Sequence, residues 1–206
     1  MENLRAVKYD LPDIRVLESA KEIDFMVWQP DRIYLVLGRS NEAAGSLIAE
    51  NVDADQVRVL KRPSGGEAVL LSPRMLVIAL KLPINSLEKI HDAFVVANDL
   101  IKSALQKQGV RNIRSRGISD ICIGEMKILG SAIYKKPDSV FYHAVLNVSE
   151  DVRLIDRYLK HPQREPDYRK GRDHTAFVSS LWAQSFLPDI SVLKEAILSE
   201  FERKFG

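Results

Sequence analysis

The longest unbroken apolar run in this chain, Met75 to Leu80, is only strand-sized, and a second short run, Ala68 to Leu71, precedes it across Ser72-Pro73-Arg74. Serine and proline at that spacing favour a tight turn, so Ala68–Leu71 and Met75–Leu82 read as a hairpin. A hairpin pairs its strands antiparallel, which steers the chain away from a doubly wound parallel sheet. Six further runs are strand-sized and rich in β-branched and aromatic residues: Phe25–Trp28, Ile33–Leu37, Val57–Leu60, Ile121–Ile123, Lys127–Tyr134 and Ser139–Leu146. Between and after them the period changes. Ile90, Phe94, Ala97, Ile101, Ala104 and Leu105 recur at helical spacing, predicting a helix over 86–108 with Ser86 as N-cap and Gly109 just past its end. Asp151–Tyr158 reads as a short helix. Asp189–Phe205 reads as an amphipathic one, with Ile190, Leu193, Ile197 and Phe201 on one face. The polar, proline-containing stretch from Lys160 to Thr175 reads as a loop. The expected fold class is α+β, with mixed or antiparallel sheets packed against helices.

A chain of 206 residues suits a single domain over 1–206 and buries enough surface to need no staples. A net charge of +2 lacks the basic excess of a nucleic-acid binder. The one cysteine, Cys122, excludes an intramolecular disulfide and fits a reducing compartment. The start, Met1 to Arg5, opens no apolar run of signal-peptide kind, and no stretch approaches the roughly 18 apolar residues that span a bilayer. A cytoplasmic protein with no membrane or nucleic-acid partner is expected.

Four segments could carry chemistry. In Lys61-Arg62-Pro63-Ser64-Gly65-Gly66-Glu67-Ala68-Val69, strands lead in and out. The glycine pair would let backbone N–H groups approach an anion, while Arg62 adds a forked cation; a β-turn with a flanking charge would read the same. In Gly124-Glu125-Met126-Lys127-Ile128-Leu129-Gly130-Ser131-Ala132, a lysine leads an apolar strand. Small residues follow it and leave room beside it. The plainer alternative is a strand-end lysine with its head in water. Asp120 could hold Mg²⁺ or anchor a cation, or close a turn. Arg39, after the Ile33 strand, could reach a phosphate or simply end the strand. Cys122, inside an apolar strand, reads as a small hydrophobe rather than a nucleophile. His143 reads as structural when taken alone, and no carboxylate or histidine pair has zinc-ligand spacing.

Taken in order, Gly38-Arg39-x-Asn41, Arg62-x-Ser64-Gly65-Gly66-x-Ala68-Val69, Gly117-x-x-Asp120, Lys127-Ile128-x-Gly130-Ser131-Ala132 and His143-x-x-Leu146 resemble the lipoate–protein ligase family. Its signatures run Gly-Arg-x-Gln-Asn, Arg-Arg-x-Ser-Gly-Gly-Gly-Ala-Val, Gly-Arg-Asn-Asp, Lys-x-Ser-Gly-Ser-Ala and His-His-Gly-Thr-Leu. The resemblance implies a fold shared with biotin protein ligases and a two-step reaction. Lipoate and ATP give lipoyl-adenylate and pyrophosphate, and the acyl group then passes to a lysine of a lipoyl-carrier domain. That carrier is the acyltransferase component of a 2-oxoacid dehydrogenase or the glycine cleavage H protein. By position, Lys127 is implied as the catalytic residue, contacting the acyl carbonyl and α-phosphate. Arg62, Ser64, Gly65 and Gly66 are implied to line the adenylate, Asp120 to sit near it or its Mg²⁺, and Arg39, Ala68, Gly130, Ser131, Ala132 and His143 to complete the substrate and nucleotide site. Val69, Leu70 and Leu71 are implied to bound the acyl tunnel.

The sequence departs from the pattern at several points. Glu67 stands for the third glycine, Leu71-Ser72 for His-Asp, Ile118-Ser119 for Arg-Asn and Tyr142 for the first histidine. The family's first-helix signature is not recognisable before Trp28. The accessory C-terminal domain of many such ligases is expected to be absent, which points to a separate accessory subunit for lipoate activation. Two rival readings are an octanoyltransferase, taking octanoate from acyl-carrier protein through a Cys122 thioester, and a non-catalytic lipoyl- or nucleotide-binding subunit.

Overall fold

The computed structural model describes residues 4–206; Met1–Asn3, the start of the segment read above for a targeting signal, lie outside the described residues. Ten strands occur among them: β1 (Val7–Lys8), β2 (Asp24–Trp28), β3 (Tyr34–Leu37), β4 (Arg58–Lys61), β5 (Val69–Leu71), β6 (Met75–Pro83), β7 (Ile113–Arg116), β8 (Asp120–Ile123), β9 (Met126–Lys135) and β10 (Ser139–Asn147). The helices are α1 (Ile14–Glu18), α2 (Ala43–Ser46), α3 (Ala49–Ala54), α4 (Asp92–Lys107), α5 (Val152–Tyr158), α6 (His174–Phe177) and α7 (Ile190–Phe205). The strands form a four-stranded sheet in the order β1-β4-β3-β5 and a six-stranded sheet in the order β2-β6-β10-β9-β8-β7. The larger sheet is antiparallel throughout, while β4 lies parallel to both β1 and β3. The α+β expectation holds. Among the described residues, no helix is long and apolar enough to cross a membrane.

The strand alternation of period two explains the layering. From β6, Leu76, Ile78, Leu80 and Leu82 pack with Ile101, Ala104 and Phe201 of the long helices, and from β10 so do Tyr142 and Ala144. The intervening side chains of β6, Val77 and Ala79, join other clusters on the opposite face, with Leu71 and Phe141 respectively. Both faces of β6 are therefore covered, which is why its sequence reads as continuously apolar. Helices α4 and α7 pair through Lys107 and the buried Glu200, which also accepts from Arg203 at 2.8 Å. Asp189 caps α7 by accepting from the Ser191 and Val192 N–H groups.

Two expectations fail. The turn at Ser72-Pro73-Arg74 forms, with Met75 N–H donating to Ser72 O at 3.0 Å, but it does not close a hairpin. Strand β5 pairs with β3, whereas β6 pairs with β2 and β10, so the chain crosses here from one sheet to the other. A strand as long and apolar as β6 gains more from β10 along its whole length and the five-residue β2 than from the three-residue β5. The second failure is the start of α4, at Asp92 rather than near Ser86. Ser86 caps nothing; its hydroxyl donates to Pro83 O, and a 3₁₀ turn fills Ile84–Ser86. Leu87 and Ile90 still pack on the core, so the apolar spacing continues beyond the helix. The short β1, β7, α1, α2, α3 and α6 had no sequence signal strong enough to find. Gly109 does adopt the left-handed backbone of a helix end, φ +84°.

Phe201 is fully buried and meets Phe25 edge-to-face at 5.6 Å, joining α7 to β2. Truncation in such a setting typically costs about 3–5 kcal/mol. Phe201→Ala is expected to lose that much by urea denaturation while keeping its far-ultraviolet circular dichroism; a loss below about 1 kcal/mol would contradict this packing.

Candidate functional site

The facing sheets enclose a cavity of about 580 Å³. Much of its wall is apolar, including Val36, Val69, Leu71, Leu129 and Val145. Polar groups come from β8–β9, from the loop that follows β4, and from the segment after α5 that brings Arg164, Asp167, Arg169 and His174.

On β9, Lys127 would face away from Gly130 under strict alternation, being three residues before it. The β8–β9 register shifts instead: Cys122 pairs with Lys127, but Ile121 pairs with Leu129, leaving Ile128 as an extra residue. This β-bulge lets Lys127 share the Gly130 face. Its side chain then lies across Gly130 so closely that a Cβ there would stand 2.7 Å from both Cε and Nζ of the lysine. The ammonium reaches Asp120 Oδ1 at 2.8 Å; Asp120 is buried and lies opposite Gly130. The other carboxylate oxygen accepts from the Tyr168 hydroxyl at 2.7 Å. Ser131 adds a brace, its hydroxyl donating to Ser119 O at 2.6 Å. Phe177 supplies an aromatic face 6.0 Å from the ammonium.

In the loop after β4, Arg62 is buried and spends its donors locally. Nε donates to Ser64 Oγ (3.0 Å), Nη1 to Val36 O (3.2 Å), and Nη2 to Gly65 O (2.8 Å) and Glu67 O (2.9 Å). Gly66, at φ +89°, passes over this guanidinium, and a Cβ there would approach Nη2 to 3.0 Å. Burial pushes the Arg62 guanidinium down to about 10, still a cation at neutral pH. Ser64 Oγ, which accepts from Arg62, also lies in hydrogen-bond contact with His143 Nε2 at 2.6 Å. The Nδ1 of His143 faces Asp13 Oδ2 at 3.9 Å. Burial, helped by the Arg62 charge, pushes His143 down to about 3, so it is neutral. Asp13 is fully buried. Tyr9 donates to its Oδ1 at 2.7 Å, its Oδ2 has no hydrogen-bond partner among the described residues, and burial raises its carboxyl.

Of the residues singled out from the sequence, Lys127, Asp120, Arg62, Gly66, Ala68, Gly130, Ser131, Ala132 and His143 share the cavity wall. Ser64 and Gly65 stand behind it as partners of Arg62. Arg39 does not join them: its backbone N–H donates to Ser64 O at 2.9 Å, while its side chain is on the exposed surface. Glu67 leans toward Asn41, whose Nδ2 donates to it at 3.4 Å. Both oxygens of Asp120 have protein partners, and no group of three His, Cys, Asp or Glu side chains suited to a metal occurs among the described residues. These residues fit Asp120 as the counter-ion of Lys127 and do not make a Mg²⁺ site of their own. Cys122 is fully buried, with its thiol pushed up chiefly by that burial and its Sγ 3.6 Å from the Tyr168 hydroxyl. Sequence reasoning missed Tyr9, Asp13 and Tyr168, of which Tyr168 alone carried a signal, as the single aromatic in a charged loop.

A profile of the lipoyl protein ligase A/B catalytic domain matches residues 12–202. Lipoate–protein ligase 1 of Staphylococcus aureus is 27% identical over 158 residues, 77% of this chain and 46% of that protein. The chain spans less than half the length of the curated relatives it matches. Among solved structures, a bi-partite lipoate protein ligase with its E2 lipoyl domain from Thermoplasma acidophilum superposes with a TM-score of 0.76 at 18% identity, over 89% of this chain and 71% of the other. A lipoate-protein ligase A bound with ATP gives 0.74 at 18%, over 93% and 77%. At such identities the structural likeness shows the fold.

The buried neutral His143 has a consequence for stability. Its folded value of about 3 lies below the ordinary 6.5. In that interval the unfolded chain binds the extra proton. The histidine's contribution is therefore full above about pH 6.5 and declines as pH falls toward 3, by up to about 1.4 kcal/mol per pH unit. Asp13 opposes it, because its folded carboxyl keeps a proton that the unfolded one releases as pH rises. In His143→Gln, the drop in unfolding free energy between about pH 7 and pH 5 is expected to be smaller than in the parent by at least about 1 kcal/mol. Equal drops would mean that His143 is not held neutral.

Proposed function

The chain belongs to the lipoyl protein ligase A/B catalytic domain family, and from that premise we propose that it activates lipoate with ATP as lipoyl-adenylate and passes the lipoyl group to a lysine of a lipoyl-carrier domain. The observation that carries this reading is the Lys127 ammonium, held over Gly130 by Asp120 on the wall of a largely apolar cavity. An acyl chain is long and greasy with one polar end, and an apolar wall beside a fixed cation suits such a ligand.

In the first step the lipoate carboxylate attacks the α-phosphorus of ATP and pyrophosphate leaves. In the second the carrier lysine's amine attacks the acyl carbonyl, the acyl–oxygen bond breaks and AMP leaves. Both steps build negative charge on oxygen, at phosphorus and then at the carbonyl. A fixed ammonium at that place stabilises the charge as it develops. Arg62 lies behind the glycine loop as a cation with no carboxylate on its guanidinium, so its field favours the phosphate. Gly66 permits close approach of the nucleotide to the loop backbone. The carrier is proposed to be the acyltransferase component of a 2-oxoacid dehydrogenase or a glycine cleavage H protein. The Thermoplasma structure, a bi-partite ligase with its E2 lipoyl domain, supports such a carrier and a second polypeptide.

The thioester route of an octanoyltransferase finds less support. Cys122 is buried, is not on the cavity wall, and has its thiol pushed up by burial, all of which disfavour the thiolate nucleophile. A purely binding role leaves the Lys127–Asp120 pair without a purpose.

Incubation with ATP, Mg²⁺, lipoate and a lipoyl domain, followed by mass spectrometry of the domain, tests the reading directly. Lys127→Ala is expected to slow transfer by about 100- to 1,000-fold with the fold intact by circular dichroism but a lowered unfolding temperature, since Asp120 loses its partner; turnover within a few-fold of the parent would sink the assignment. Cys122→Ser is expected to retain transfer within a few-fold, whereas its loss would restore the thioester route.

A further inference from the structure

The Lys127–Asp120 pair is itself held by a third residue outside the cavity wall. Asp120 is buried and ionic, so each of its oxygens needs a donor. Lys127 at 2.8 Å and the Ser119 hydroxyl at 3.5 Å meet Oδ1, and the Tyr168 hydroxyl donates to Oδ2 at 2.7 Å. Tyr168 is fixed on several sides. The Arg116 guanidinium lies 4.7 Å from its ring centre, Phe177 packs at 5.2 Å, and the turn at Gly117, φ +57°, comes so close that a Cβ there would touch the ring at 3.5 Å. Its chain neighbours Asp167 and Arg169 line the cavity, but its own side chain does not.

We infer that Tyr168 is a positioning residue. By occupying Oδ2 of Asp120, it leaves Oδ1 to hold Lys127 by a single contact, so the ammonium keeps donors free for the cavity. Without that hydroxyl, the buried carboxylate has an unpaired oxygen, and the adjacent ammonium is the cation that can turn to it. The pair closes on itself and Lys127 is withdrawn from whatever lies in the cavity. Tyr168 also brings the 160–173 segment into register with the pair, so cavity wall and ammonium are set together. As a statement about catalysis this rests on the ligase reading; as a statement about Lys127 it does not.

The test is a double-mutant cycle of Tyr168→Phe and Asp120→Asn, read as single-turnover lipoyl transfer with kcat, KM and melting temperature alongside. Tyr168→Phe is expected to lower kcat about tenfold, the loss of one hydrogen bond to a charged group. The KM for lipoate should stay within about twofold, the melting temperature should hold, and nothing further should be lost in the Asp120→Asn background. Equal losses in both backgrounds, or a change confined to KM, would overturn the inference. A second readout needs no ligase activity: the rate at which a small amine-directed reagent modifies Lys127, followed by peptide mass spectrometry. Tyr168→Phe should slow it several-fold in the parent and leave it unchanged in Asp120→Asn; an unaltered rate in the parent background overturns the inference. A parent chain that transfers nothing, yet shows this labelling pattern, would remove the ligase reading and keep the role of Tyr168.

Discussion

A buried guanidinium that, among the described residues, has no carboxylate bonded to it sets the terms for the rest of this structure. Arg62 lies between the sheets, and its charge survives because backbone carbonyls and one hydroxyl take up its donors. Val36 O belongs to β3, Gly65 O and Glu67 O to the loop, and Ser64 passes the connection to His143 on β10 of the other sheet. One side chain therefore holds the loop shape, the small sheet's end and the contact to the large sheet. Its charge also fixes what can stand nearby. A second cation is refused, and His143 stays neutral beside it. Burying a charge this way is costly unless something compensates, and an anionic ligand in the cavity is a natural source of compensation.

Lys127 is built on the opposite plan. Its ammonium is neutralised by Asp120 before any ligand arrives, so Arg62 and Lys127 differ in kind. One has no carboxylate bonded to it among the described residues and makes four hydrogen bonds to oxygens of the protein; the other is matched but keeps donors to spare. A negative group entering between them meets a standing field from the first and a mobile hydrogen-bonding partner in the second.

Much of this was legible in the chain because burial leaves a pattern. The strands β2, β3, β4, β6, β8, β9 and β10 and the helices α4, α5 and α7 all announce themselves through apolar spacing, and the order of the glycine and lysine segments pointed to one pocket. The hairpin was misread because a serine–proline turn looks the same whether it reverses a strand within a sheet or carries it to the facing one. Arg39 looked like a ligand, but a charge beside a strand end does not say which way the side chain leaves. The pairings that Asp13 and Tyr168 make leave no trace for another reason. Asp13 meets a histidine 130 residues away, from Asp13 to His143, and Tyr168 meets an aspartate 48 residues away. Long-range polar pairs have no period, so nothing local marks them.

The extra residue in β9 gives the site a dependence on the parity of the chain. Every other feature of a strand repeats after two residues, so a substitution changes a side chain but never its side. At Ile128 the count is off by one, and this is what carries Lys127 to the face where Gly130 and Asp120 wait. Shortening the bulged stretch by one residue would preserve nearly every atom of composition and all the strand's hydrogen-bonding capacity, yet turn the ammonium toward the opposite face. Chemistry in this fold thus hangs on an odd number, which no matrix of residue likeness records and which a single inserted or deleted codon could grant or remove.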